Sequence, residues 1–414
     1  MNSTQPQTRS GSHLLSIAQL IVSGLGIVTS LLAAGGIFLL GLVGLFSETV
    51  NHVEVTSLLA TAWISLLVAA LALPSLVFSI QRLWDRTPSL PSIRGFRLAN
   101  IAILAWPLVL LLGNLISGSS SLAWILLPPL GLLAIGLPVW WLIEFTQRNI
   151  PVGSRQRGWG LVSFSMLITT PALIFVEVAA LLVLVILFAL WASSQPQLML
   201  KLQQLAQQLT IGEPDAEAVL AILSPYLQNP LVILGILVVV AGLVPLIEEL
   251  FKPLGLWALA GRNLTPGQGF VAGAISGGIF ALIESLFYLS NPAGENWAAL
   301  VAGRAGTGLL HITTTALLGW AMAAAWQNGS YLRLGATYLL SCALHGLWNG
   351  LSILAGLFGA IDGLPVNTPL MGAIGPIASV GLGVLIVSLF LLLWWGNRRL
   401  RQPVPDGSSS IQTP

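Results

Sequence analysis

Charge is scarce in this 414-residue chain: Asp, Glu, Lys and Arg make up 7% of it, against 56% hydrophobic residues. Soluble domains carry about 25% charged residues, so a soluble enzyme is excluded. A mean hydropathy of +0.90 points instead to apolar runs that cross a bilayer. Cysteine is nearly absent, and the single Cys342 excludes an internal disulfide. No A-x-A-like cleavage site follows the polar tail Met1 to His13, so the first apolar run reads as a retained span, not a removed signal. The serine elbow and the H-E-x-x-H signature are missing as well, which removes two common hydrolase patterns. The excess of positive charge is small, a formal +2, and it sits in Arg-rich loops. It reports topology and gives no support for a nucleic-acid partner.

What the chain does have is about ten apolar runs of membrane-crossing length, so the predicted class is an all-α polytopic bundle in a lipid bilayer. The positive-inside rule supports the count. Arg82, Arg86, Arg94 and Arg97 follow the second run; Arg148, Arg155 and Arg157 the fourth; Arg262 the sixth; Arg333 the eighth; Arg398, Arg399 and Arg401 the tenth. The alternate loops are nearly free of basic residues, which predicts cytoplasmic termini and a bacterial plasma membrane. Residues 1–192 read as an N-terminal membrane region of five spans and 193–230 as an extracytoplasmic loop with a short amphipathic helix. Residues 231–356 read as a functional core, and 357–414 as a last span and tail.

The core is set apart by its ionisable residues, which usually mark a site when they lie within a membrane. Glu248, Glu249 and Lys252 fall in the run Leu231 to Gly261, bracketed by Pro245 and Pro253. Thirty-one residues at 1.5 Å per residue rise about 46 Å, well beyond a bilayer core of about 30 Å, so a juxtamembrane charge group fits less well than a kinked intramembrane one. Lys252 stands four residues after Glu248 and three after Glu249, placed to balance one carboxylate.

The seventh run carries Gly269, Gly273, Gly277, Ala281 and Ser285 at four-residue spacing, a packing stripe, with Glu284 beside it. The eighth has Gly303, Thr307, His311 and Thr315 on one row and Arg304 next to it; the ninth has Ser341, His345 and Asn349. A lone intramembrane histidine is usually an interhelical hydrogen bonder, but here two are each continued four residues on by a polar residue. Glu177, in the fifth run, reads as a neutral packing glutamate.

Three glutamates and two histidines from four runs suit hydrolysis, which needs a base for water, an acid for the leaving amine and donors for the oxyanion. A metal-dependent version would place zinc on Glu284, His311 and His345, two histidines and a carboxylate with an open position. The residue types serve either version.

The ordered motifs E-E-L-F-K at 248–252, F-A-L-I-E at 280–284, H-I-T-T-T at 311–315 and H-G-L-W-N at 345–349 resemble the PrsW family of intramembrane proteases, a relative of the CAAX prenyl protease group. The glutamate at 284, where that related group has histidine, favours PrsW. The resemblance implies an intramembrane endopeptidase, with catalytic roles for Glu248, Glu249, Glu284, His311 and His345 and supporting roles for Lys252 and Asn349 as charge partner and oxyanion or substrate donor. It also implies a membrane-protein substrate such as a single-span anti-sigma factor. The competing expectation is a proton-coupled transporter using the same Glu and His relay. Against it, E-E-x-x-K has no counterpart in the first five runs, where an internal repeat would put one.

Overall fold

The computed structural model describes residues 10–47, 52–84, 86, 94–118, 122–150, 153–210, 216–227, 229–290, 296–360 and 369–401. All regular elements among them are helical, and ten are long and apolar enough to cross a membrane. The spans are Leu14–Leu45, Val53–Leu83, Gly95–Ser117, Ala123–Thr146, Arg155–Ser193, Pro230–Trp257, Pro266–Leu289, Trp297–Asn328, Tyr331–Phe358 and Gly372–Leu400. The chain is a multi-pass membrane protein of the all-α class, as the apolar runs predict. Between the fifth and sixth spans lie two helices, Pro196–Thr210 and Ala216–Leu227. The acidic residues Glu213 and Asp215 of that connection, and most of the polar N-terminal tail, lie outside the described residues.

The chain divides into two compact units. The first comprises Met1–Thr170, Phe251–Ser341 and Gly383–Pro414, and its centre is the pair of spans seven and eight. Of their most apolar windows 83% and 94% are buried, against 6–44% for the other eight, so this pair is enclosed by protein while its neighbours meet lipid. The small-residue stripe explains the enclosure. A Cβ on Gly269, Gly273 or Gly277 would strike the backbone oxygen of Gly319, Thr315 or His311 respectively. Each four-residue step along span seven thus matches one along span eight, and the backbones touch where side chains would otherwise hold them apart. The seventh span starts at a capping box, in which Thr265 and Gln268 each bond the other's backbone N–H, with Pro266 in the first turn. The eighth ends at Gly329, whose φ of +70° forms a left-handed cap.

Two polar clamps tie other spans to this unit. Gln19 donates to the Ser75 hydroxyl at 2.9 Å, Ser23 meets both Ser75 and Ser163, and Gln156 donates to Ser16. This ladder joins spans one, two and five inside the bilayer, where such bonds contribute about 0.6–2 kcal/mol each. At the end of the last span, buried Asn397 donates to the carbonyls of Thr146 and Arg148 at 2.8 and 3.0 Å and satisfies the C-terminus of span four.

The second unit, Pro171–Leu250 and Cys342–Leu382, contains most of the fifth span, the two connecting helices, span six up to Leu250 and the later part of span nine. Its side chains on the fifth span, from Val178 to Leu190, are largely exposed and apolar, a lipid-facing surface.

The glycine contact predicts a graded response. Gly273→Ala is expected to lower stability in detergent by about 1–3 kcal/mol, since the opposing atoms are backbone and cannot rotate away. Gly335→Ala, with open space around it, is expected to leave the thermal midpoint unchanged; equal midpoints for the two variants would contradict the packing account.

Candidate active site

The sixth span reaches its glutamates through an irregular helix whose cause is local. Residues Val238–Leu243 form a π-helix, and the Val244 N–H bonds the Val239 carbonyl five residues back. In that register the Val240 carbonyl would receive the N–H of residue 245, but Pro245 has none. The Asn349 amide of span nine supplies the missing donor, 2.9 Å from the Val240 oxygen. Gly346 lies against the neighbouring Ala241 carbonyl so closely that a Cβ there would strike it, and Cys342 approaches the Pro245 carbonyl at 3.7 Å. Cys342, Gly346 and Asn349 thus form a row on span nine that lies against the carbonyls around Pro245, and Asn349 serves the one that the proline leaves without an intrahelical donor.

One turn further on, helix Val244–Phe251 presents Glu248 and Glu249, 5% and 0% exposed, beside His345 at 2%. His345 Nδ1 is 2.9 Å from Glu249 Oε1, and its Nε2 is 3.8 Å from Glu248 Oε2. The first distance is a hydrogen bond. The second is too long for one, although it is close to the roughly 3.4 Å that separates two ligands of a tetrahedral ion with bonds of 2.0–2.2 Å. A His345 that gives its Nδ1 proton to a carboxylate keeps the Nε2 lone pair available, the arrangement by which a carboxylate orients a metal-binding histidine.

The first unit holds the other polar group. The helix stops at Phe251, and the Lys252 carbonyl at the break accepts the Ser276 hydroxyl at 2.6 Å, with Ser165 behind it at 2.8 Å. Lys252 is fully buried; its Nζ is 2.7 Å from His311 Nδ1 and 5.0 Å from the centre of the Phe280 ring. Phe280 also packs edge-on to His311, ring centres 5.1 Å apart. On the other side of the imidazole, His311 Nε2 is 3.0 Å from Glu284 Oε2, and the same oxygen lies 2.6 Å from Arg304 Nη2. Lysine, histidine, glutamate and arginine therefore form one continuous chain of charge-assisted contacts.

Residues 172–374 match the PrsW family intramembrane metalloproteases. This stretch is a PrsW-family domain. No curated protein and no solved structure matches the chain. The PrsW-family domain makes the protein a peptidase of the intramembrane kind, and it contains every residue that the four motifs single out. It begins well before residue 231, taking in most of the fifth span and both connecting helices.

Within the domain each sequence-derived residue has a definite place. Glu248, Glu249, His345 and Asn349 belong to the second unit, and Lys252, Glu284 and His311 to the first. Asn349, expected as an oxyanion or substrate donor, gives its amide to a backbone carbonyl. Lys252, expected as the charge partner of a glutamate, reaches His311. Glu284 counts as nearer one end of its span than His311 does, yet the two side chains meet. Arg304 was visible only as a residue near that row; the signal for its role is its place seven residues before His311, two turns along the same helix face.

Asn349→Ala is expected to cost about 1–3 kcal/mol by leaving the Val240 oxygen without its donor, while the turnover of the folded fraction changes little. A loss of turnover beyond about 100-fold at unchanged stability would instead assign Asn349 to the oxyanion.

Proposed function

We propose that the protein is an intramembrane endopeptidase that hydrolyses a peptide bond of a membrane-protein substrate, using Glu248, His311 and His345 as metal ligands and Glu249 as the group that carries protons. The observation that supports it best is the pair of bonds around His345: Glu249 holds Nδ1, and Nε2 is turned toward Glu248 at a separation suited to two ligands of one ion. Glu248 and His345 bring together a buried carboxylate and imidazole of the types that bind a metal, and a second imidazole, assigned to His311 on the sequence motif, would complete a catalytic zinc type. Glu248 takes the place that the sequence pattern offered to Glu284 because Glu284 Oε2 is already held by Arg304 and His311.

Bound there, a zinc-type ion supplies Lewis acidity to the scissile carbonyl and to water. The chain's own residues do the rest. Glu249 accepts a proton from water as its oxygen bonds to the carbonyl carbon, then passes that proton to the departing amine nitrogen as the C–N bond breaks, which restores the carboxylate. The Lys252 ammonium stabilises negative charge that develops on the carbonyl oxygen. Lys252 Nζ lies 2.7 Å from His311 Nδ1 in this structure, so the lysine would compete with an ion for that nitrogen. The substrate class is a single-span membrane protein of the anti-sigma-factor kind. Both termini are assigned to the cytoplasm of a bacterial cell, on the basic loops.

The test is cleavage of a reconstituted single-span substrate by purified protein, with metal analysis on the same samples. Wild type is expected to carry about one metal per chain and to lose cleavage on chelation; His345→Ala and Glu248→Ala lose both metal and activity. Glu249→Gln keeps most of the metal and drops turnover by about 100-fold or more. Cleavage that persists in all three variants would overturn the peptidase mechanism, and full activity without metal would overturn the ligand assignment.

A further inference from the structure

The pair Arg304 and Glu284 calls for an explanation beyond charge balance. An arginine in a membrane span is costly, and Arg304 is held in place by three contacts. Nη2 lies 2.6 Å from Glu284 Oε2, Nε donates to the Ser285 hydroxyl at 3.0 Å, and the guanidinium covers the Tyr288 ring at 4.5 Å. Arginine side chains are chosen for such fixed, multi-point geometry, because the planar fork cannot swivel as an ammonium does. Its side chain is 13% exposed and that of Glu284 24%, so the pair is neither a free surface bridge nor a sealed core pair.

The consequence falls on the next residue in the chain of contacts. A glutamate paired with arginine is an acceptor only, and an acceptor at His311 Nε2 requires that nitrogen to carry the proton. The lone pair then resides on Nδ1, where the Lys252 ammonium, a donor only, points at 2.7 Å. Both neighbours demand the same tautomer. Arg304 is what commits Glu284 to its part, since a glutamate without that clamp is free to rotate away from the imidazole.

We propose that Arg304 is a positioning residue: by clamping Glu284 it fixes His311 in the Nε2–H tautomer and directs the Nδ1 lone pair toward the working side of the imidazole. Glu284 on this account orients an imidazole, as Glu249 orients His345, and does not itself attack or ligate. The proposal rests on the reading of His311 as a site residue of the peptidase.

The experiment is nitrogen NMR of protein labelled at histidine, alongside cleavage kinetics. The chain has four histidines, and a His311→Gln sample identifies the signal. Wild-type His311 is expected to show a protonated Nε2 and a bare Nδ1. Arg304→Gln shifts this to a mixture of tautomers and lowers kcat by about 10- to 100-fold, the usual effect of losing a partner that orients a ligand, with KM changed less than about twofold. Arg304→Lys, which folds with its charge intact, recovers part of both. An unchanged tautomer in Arg304→Gln overturns the proposal whatever happens to the rate, and so does a wild-type His311 protonated on Nδ1. A tautomer shift in Arg304→Gln together with full cleavage by His311→Gln supports the positioning and rejects the role of His311 in the peptidase.

Discussion

The contact of three glycines in span seven with three backbone oxygens in span eight is the constraint on which the buried polar chemistry of the first unit depends. One of those oxygens belongs to His311 itself. The histidine is therefore placed by main chain against main chain, a contact with no rotamers to vary, and its imidazole inherits that definition. Glu284 and Ser276 come from the same seventh helix, so the stripe also sets the distance at which they meet the histidine and the Lys252 carbonyl. Packing and chemistry are separated by a single residue: Gly277 next to Ser276 serves the first, Ser276 the second.

Much of this was legible in the amino-acid sequence because a lipid environment penalises ambiguity. Ten apolar runs with arginine in every second loop yield ten spans. Small residues at four-residue spacing mark a tight helix pair, and carboxylates amid leucine and valine mark a candidate site. These signals are one-dimensional, arising from composition or from the period of a single helix.

The less legible features are relations between helices. The bond of Asn349 to Val240 depends on a π-turn that no hydropathy pattern announces, although Pro245 is its visible cause. The chain from Lys252 to Arg304 joins residues 52 positions apart through two intermediaries, so spacing alone could pair Lys252 only with its glutamate neighbours. The ladder of Gln19, Ser75 and Ser163 is built from residues too common in membrane helices to stand out. The PrsW-family motifs single out candidate residues; which nitrogen of each histidine faces which carboxylate is a matter of side-chain geometry.

The π-turn before Pro245 has a geometric meaning of its own. Relative to a regular helix it amounts to one extra residue, and one residue is about 100° of rotation. All side chains beyond it, Glu248 and Glu249 included, are turned by that angle from where an unbroken span six would aim them. A one-residue insertion into an ordinary membrane helix, stabilised by an asparagine on its neighbour, is thus enough to swing two carboxylates from one face of the helix to another.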